Sequence, residues 1–149
     1  DMLITKEANT KTETPWHQDE SYWLDMPDKR AISFWFPMRD VGVEDGCMWF
    51  VPGSHKLPLR KHRPVKEGNH VMMTDECSNE EGVPKPLKAG GCTIHTGRTL
   101  HYTSGNTTNL ARRVYIVNYR PVKMIEFERK NNYDHGKSGL SNNETFKKR

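Results

Sequence analysis

What most constrains the fold of this chain is the way its apolar residues are parcelled: they come in short runs, each cut off by turn chemistry, with almost no helical spacing. The segments MLITK (Met2–Lys6), AISFWF (Ala31–Phe36), CMWFV (Cys47–Val51), CTIH before Thr96-Gly97, RTLHYT and RRVYIVNY (Arg112–Tyr119) all read as strands. They are rich in aromatic and β-branched residues and bounded by Gly, Pro, Asn or Ser, the pattern of an all-β sandwich or barrel. Pro52-Gly53 after CMWFV suits a type II turn. Between Leu57 and Pro86 lies a polar, Pro-rich insertion with one strand candidate, HVMMT (His70–Thr74), and insertions of this length usually serve function. The helical signal is confined to the charged, Asn-rich end. The expected organisation is therefore a β-domain over 1–123 and a polar, mobile tail over 124–149.

Composition excludes several classes. At 149 residues one core-bearing domain is expected. The net charge of +4 is partly carried by Lys147, Lys148 and Arg149, which is too little to point to a nucleic-acid partner. Cys47, Cys77 and Cys92 form no CxxC pair, which disfavours a disulfide framework and points to a reducing, intracellular and cytoplasmic setting. No apolar run is long enough to span a membrane. The chain opens on Asp1 before an apolar stretch and so reads as N-terminally truncated, which leaves targeting signals out of view. The sequence sets no oligomeric state.

The chemistry begins at TPWHQD. In an extended segment residues i and i+2 share a face, so His17 and Asp19 project together and Gln18 opposes them. Pro15 biases Thr14 toward that geometry. An imidazole beside a carboxylate makes two ligands for one metal ion. A third must come from afar, and His101, in a late strand, is the best candidate. Two His and one carboxylate on one octahedral face leave open positions and suit non-haem Fe(II) oxygenases.

Three stretches in this order, TPWHQDESYW, EDGCMWFVPGSHK and GRTLHYTSGNTTNLARR, resemble the phytanoyl-CoA dioxygenase family of Fe(II)- and 2-oxoglutarate-dependent oxygenases, over about Met2 to Pro121. The resemblance implies a mainly β double-stranded β-helix, the jelly-roll or cupin-like barrel. It implies His17, Asp19 and His101 as iron ligands and Arg112, eleven positions after His101, as the partner of the far carboxylate of 2-oxoglutarate. Gln18 and Trp35 correspond to residues near the cosubstrate. It also implies consumption of O2, hydroxylation of an unactivated C–H bond with release of succinate and CO2, and a small-molecule substrate such as an acyl-CoA or a secondary metabolite. The alternative is a cupin-like metal- or ligand-binding module without turnover. Gly90-Gly91 and Tyr102 depart from the family pattern without touching a ligand position.

Physical reasoning about Arg112 stands independently. A dicarboxylate in a barrel calls for a planar, permanently charged fork. Arg112 shares its strand face with Val114 and Ile116, Arg113 with Tyr115 and Tyr119, so Arg112 is the one expected to look inward. Among the other histidines, His95 is expected to face away from His101, and His55 to organise a turn. His62 and His70 are expected on the surface, in an insertion that could also cap the site, and His135 lies in the tail. Trp16, Trp23 and Trp49 are expected to pack in the core or a lid.

Overall fold

The computed structural model describes residues 1–68 and 71–133; His70, His135 and residues 134–149 of the expected tail lie outside them. Two four-stranded antiparallel sheets face one another. The first has the order β1 (Met2–Lys6), β10 (Arg112–Tyr119), β3 (Ile32–Pro37) and β8 (Thr93–Thr96). The second has the order β2 (Thr14–His17), β9 (His101–Thr103), β4 (Met48–Phe50) and β7 (Val83–Lys85). The short-run pattern implied an all-β sandwich or barrel of this kind, and the resemblance implied the jelly-roll.

Alternation decides what enters the barrel. In β10, Arg112 and Val114 are buried while Arg113 and Tyr115 are exposed, so the two arginines part as their strand neighbours suggested. In β3 the inward set is Ser33, Trp35 and Pro37, which leaves the more apolar Ile32, Phe34 and Phe36 on the outer face. Trp35 and Val114 of the first sheet pack on Met48 of the second, with Val41 and Cys47 closing the same cluster. Outside the second sheet, Trp16 stacks on Tyr102 at 5.2 Å between ring centroids, beside Leu100 and Val51. Val51–Ser54 forms the expected type II turn: Gly53 has φ 79° and the Ser54 N–H donates to the Val51 carbonyl at 3.2 Å.

The polar insertion has more order than its composition suggested. Its hairpin pairs β5 (Arg63–Pro64) with β6 (Met72–Met73), and its last residues form β7 at the sheet edge, where Pro84 is tolerated. Arg60 bonds Glu81, Arg63 bonds Asp75, and the Thr74 N–H donates to the Trp16 carbonyl, which ties the insertion to β2. At the other end, helix α1 (Val122–Lys130) buries Met124 against Met26 and Ala31. The boundary expected after residue 123 thus falls inside a helix. No helix among the described residues is long and apolar enough to cross a membrane.

Candidate metal centre

His17 and His101 are direct cross-strand partners in β2 and β9, and their ring centroids lie 4.1 Å apart. Gln18 continues the chain in extended geometry, φ −123° and ψ 126°, before a 3-10 turn at Asp19–Tyr22. Asp19 therefore projects on the His17 side, as the i, i+2 rule requires. One donor atom from each of His17, Asp19 and His101 lies within 4.8 Å of the others. His17 Nε2 and His101 Nε2 stand 3.6 and 3.5 Å from Asp19 Oδ1. Two ligands at right angles, each about 2.1 Å from a metal, would be about 3 Å apart. The donors fit that spacing with little movement.

Tautomer and ionisation suit a cation. His17 Nδ1 lies 2.8 Å from the Pro15 carbonyl and His101 Nδ1 2.8 Å from that of Thr99. Each carbonyl accepts only from a protonated Nδ1, which leaves the Nε2 lone pairs free and aimed inward. Burial, reinforced by His17 and His95, pushes the His101 imidazole well below its usual range and keeps it neutral. Burial alone would raise the Asp19 carboxyl, but His101, His17 and His95 together hold it far below the carboxylate range. An ionised Asp19 and a neutral His101 are donors in the deprotonated form a divalent metal requires.

Around this trio the structure places Ser33, which the sequence did not single out, and two histidines expected elsewhere. The Ser33 hydroxyl donates to Asp19 Oδ2 at 2.9 Å, so the two carboxylate oxygens are engaged separately. His95 is a correction. Expected to face away, it is buried with its ring centroid 4.5 Å from His101 and its Nε2 3.8 Å from Asp19 Oδ2. The reason is topological: β8 and β9 belong to opposite sheets, so the turn between them turns the inner face of one toward the inner face of the other. His62 is not a simple surface residue either, since its Nε2 accepts from the Gln18 N–H at 3.1 Å.

Gln18 is fully buried, and its amide is committed: Oε1 accepts from the Arg60 N–H at 3.0 Å and Nε2 donates to the Arg98 carbonyl at 2.6 Å. A cosubstrate contact there would compete with both bonds. Beside it, the Glu20 N–H donates to the Gly97 carbonyl, and the buried Glu20 carboxylate takes a bidentate pair from Arg98. Residues 18–20 are thus strapped to the β8–β9 turn, and the strap fixes the position of Asp19. The Trp23 ring packs over Gly97, where a Cβ would collide with it and force the ring to move.

Facing the trio from the first sheet is Arg112. It is 1% exposed, its guanidinium carbon lies 5.5 Å from the Trp35 ring centroid, and its Nε has no hydrogen-bond partner among the described residues. Burial, with Arg39 nearby, pushes it down to about 10. Thr103, on the same strand face as His101, and Thr93, the register partner of Trp35, also carry hydroxyls without a partner among the described residues. Unpaired buried polar atoms are rare and each calls for an explanation. A carboxylate lying along this wall would satisfy them.

A sequence profile described as Phytanoyl-CoA dioxygenase (PhyH) matches residues 1–114. Phytanoyl-CoA dioxygenase domain-containing protein 1 of Danio rerio is 30% identical over 120 residues, covering 76% of this chain and 41% of that protein. The crystal structure of EvdO2 from Micromonospora carbonacea var. aurantiaca complexed with 2-oxoglutarate is similar at 31% identity and a TM-score of 0.69, covering 80% of this chain and 52% of that one. The epimerase SnoN in complex with Fe3+, alpha ketoglutarate and nogalamycin RO matches at 29% identity and a TM-score of 0.61, covering 93% and 56%. The chain spans about half the length of these relatives or less.

Proposed function

Since the chain belongs to the phytanoyl-CoA dioxygenase family, we propose that it is the catalytic barrel of an Fe(II)- and 2-oxoglutarate-dependent dioxygenase that hydroxylates a C–H bond of a small organic molecule. The observation that carries this reading is the pairing of two features inside the barrel: the clustered donors of His17, Asp19 and His101, and a buried Arg112 whose Nε has no hydrogen-bond partner among the described residues. Two relatives of the same fold hold 2-oxoglutarate, and one of them holds iron, which supports the same pairing here.

His17 and His101 would hold the iron through Nε2, with Pro15 and Thr99 fixing the tautomers. Asp19 would bind through Oδ1 while Ser33 keeps Oδ2 occupied, so that the carboxylate takes one coordination position. Arg112, flattened beside Trp35, would receive the far carboxylate of 2-oxoglutarate, with Thr103 and Thr93 as neighbouring donors. Gln18 would act as the bracket that holds Asp19. Iron and 2-oxoglutarate together supply the oxidising equivalents from O2, leaving succinate, CO2 and a hydroxylated product. The residues would exclude water and orient the two ligands.

Adding Fe(II) and 2-oxoglutarate to the chain without air should produce a weak visible charge-transfer band. Absence of the band, together with no succinate on aeration, would overturn the proposal. Metal retention without 2-oxoglutarate binding would favour the cupin-like binding module instead. Arg112→Ala removes a charge-assisted contact of about 1.5–3 kcal/mol and should weaken 2-oxoglutarate about 10- to 100-fold. Arg112→Lys, which keeps the charge but not the fork, should fall between; an unchanged affinity in both variants would refute the assignment of Arg112.

A further inference from the structure

We propose that Lys6 is a second cationic group of the 2-oxoglutarate pocket, a positioning residue that acts with Arg112 to select a cosubstrate whose far end is an ionised carboxylate. The inference rests on the reading of the site given above.

Lys6 and Arg112 are register partners across β1 and β10, so their side chains leave the sheet on the same face. That face is the interior, and both residues are buried. The Lys6 ammonium reaches across to the second sheet, where it donates to the Thr103 carbonyl at 3.2 Å and the Ser104 carbonyl at 2.5 Å. Two of its three donors are used in this way. Among the described residues, no carboxylate lies within ion-pair distance of either cation. Glu13 is the acid whose field favours the charged amine, and its Oε2 accepts from the Tyr102 hydroxyl.

Like charges placed directly opposite in an antiparallel pair destabilise it, and buried unpaired charges cost more still. A barrel that keeps two such cations side by side, with the Arg112 Nε and the Thr103 hydroxyl unpartnered next to them, has the composition of an anion site. Burial, and then Arg112, push the Lys6 amine down to about 7, with Glu13 opposing, as a cation waiting for a counter-charge should behave. A dicarboxylate whose 2-oxo end is held at His17, Asp19 and His101 would bring its other end toward this pair. A 2-oxo acid lacking that second carboxylate would leave both cations unmatched. Lys6 therefore contributes to discrimination between acids as well as to affinity.

The test measures binding of 2-oxoglutarate and of 2-oxobutanoate, which lacks the far carboxylate, to the Fe(II)-loaded chain by anaerobic calorimetry. Lys6→Gln keeps a donor for the Thr103 and Ser104 carbonyls but removes the charge. It should weaken 2-oxoglutarate by about 10-fold, the size of a lost charged interaction, and leave 2-oxobutanoate within about twofold. Lys6→Arg should retain most of the discrimination. Equal weakening of both acids in Lys6→Gln marks a purely structural tie and overturns the proposal, as does an unchanged 2-oxoglutarate affinity. Wild-type protein that binds both acids alike sinks the Arg112 pocket itself, and Lys6 with it, whereas discrimination undiminished in Lys6→Gln sinks Lys6 alone.

Discussion

Each oxygen of Asp19 has its own neighbours: Oδ1 faces the two Nε2 atoms, and Oδ2 is held by the Ser33 hydroxyl with His95 behind it. Groups that steady a metal ligand from outside typically change affinity or activity 10- to 100-fold when removed. Ser33→Ala should accordingly weaken Fe(II) by about 10-fold, read by competition with a chromogenic chelator, and an unchanged affinity would show that Oδ2 needs no holder. Lys6 carries a pH signature that requires no ligand. Its amine titrates near 7 in the fold and 10.5 when unfolded, through burial and the nearby Arg112, with Glu13 opposing. Across that window the unfolded chain binds more protons at this position, so the stability of the ligand-free protein rises with pH. The penalty is complete below about pH 7 and gone above about 10.5. The difference in urea midpoint between wild type and Lys6→Gln should grow in favour of wild type from pH 7 to 9.5; a flat difference would mean that the amine is solvated.

At the scale of elements, α1 belongs to the packed body. Met124 is 1% exposed against Met26 and Ala31, the Arg120–Glu128 pair secures the helix start, and the Tyr133 hydroxyl donates to the Tyr22 carbonyl next to the metal-site turn. Met124→Ala should cost about 2–5 kcal/mol, visible as a lowered thermal midpoint; no change would detach the helix from the fold. β3 was legible because it alternates over six residues, β1 only as a short apolar run, and residue parity at the start of β10 was enough to separate Arg112 from Arg113. The His17–Asp19 pair was legible for the same reason. His95 was not, because parity holds only along one continuous strand and is lost where the chain crosses between sheets. β7 escaped notice because a three-residue edge strand containing Pro84 carries no alternation to read. Ser33 was present in the β3 pattern, on the Trp35 face, but a serine there has no meaning until Asp19 is known to lie opposite. Lys6 was hidden by its type: a lysine at a strand end reads as solvated unless its cross-strand partner is known to be buried.

At the scale of the molecule, the candidate metal donors and their supports draw on both sheets, so binding of a metal there would be coupled to folding. Free Fe(II) at about 100 times its dissociation constant adds about 2.7 kcal/mol to the folded state. For a domain of this size, that should raise the thermal midpoint by about 5–10 °C, measured without air; no rise would mean that the trio binds no metal. His17, Asp19 and His101 hang from the second sheet, Lys6 and Arg112 from the first. A dicarboxylate spanning them is therefore a rivet through the sandwich as well as a reagent. On the proposed reaction the product would lack the 2-oxo group by which the rivet gripped one side, and the sheets would regain their play at the moment the barrel must let something out. Deuterium uptake at β9 and β10 should slow with 2-oxoglutarate present and recover with succinate, so that each turnover would also be a cycle of stiffening and release.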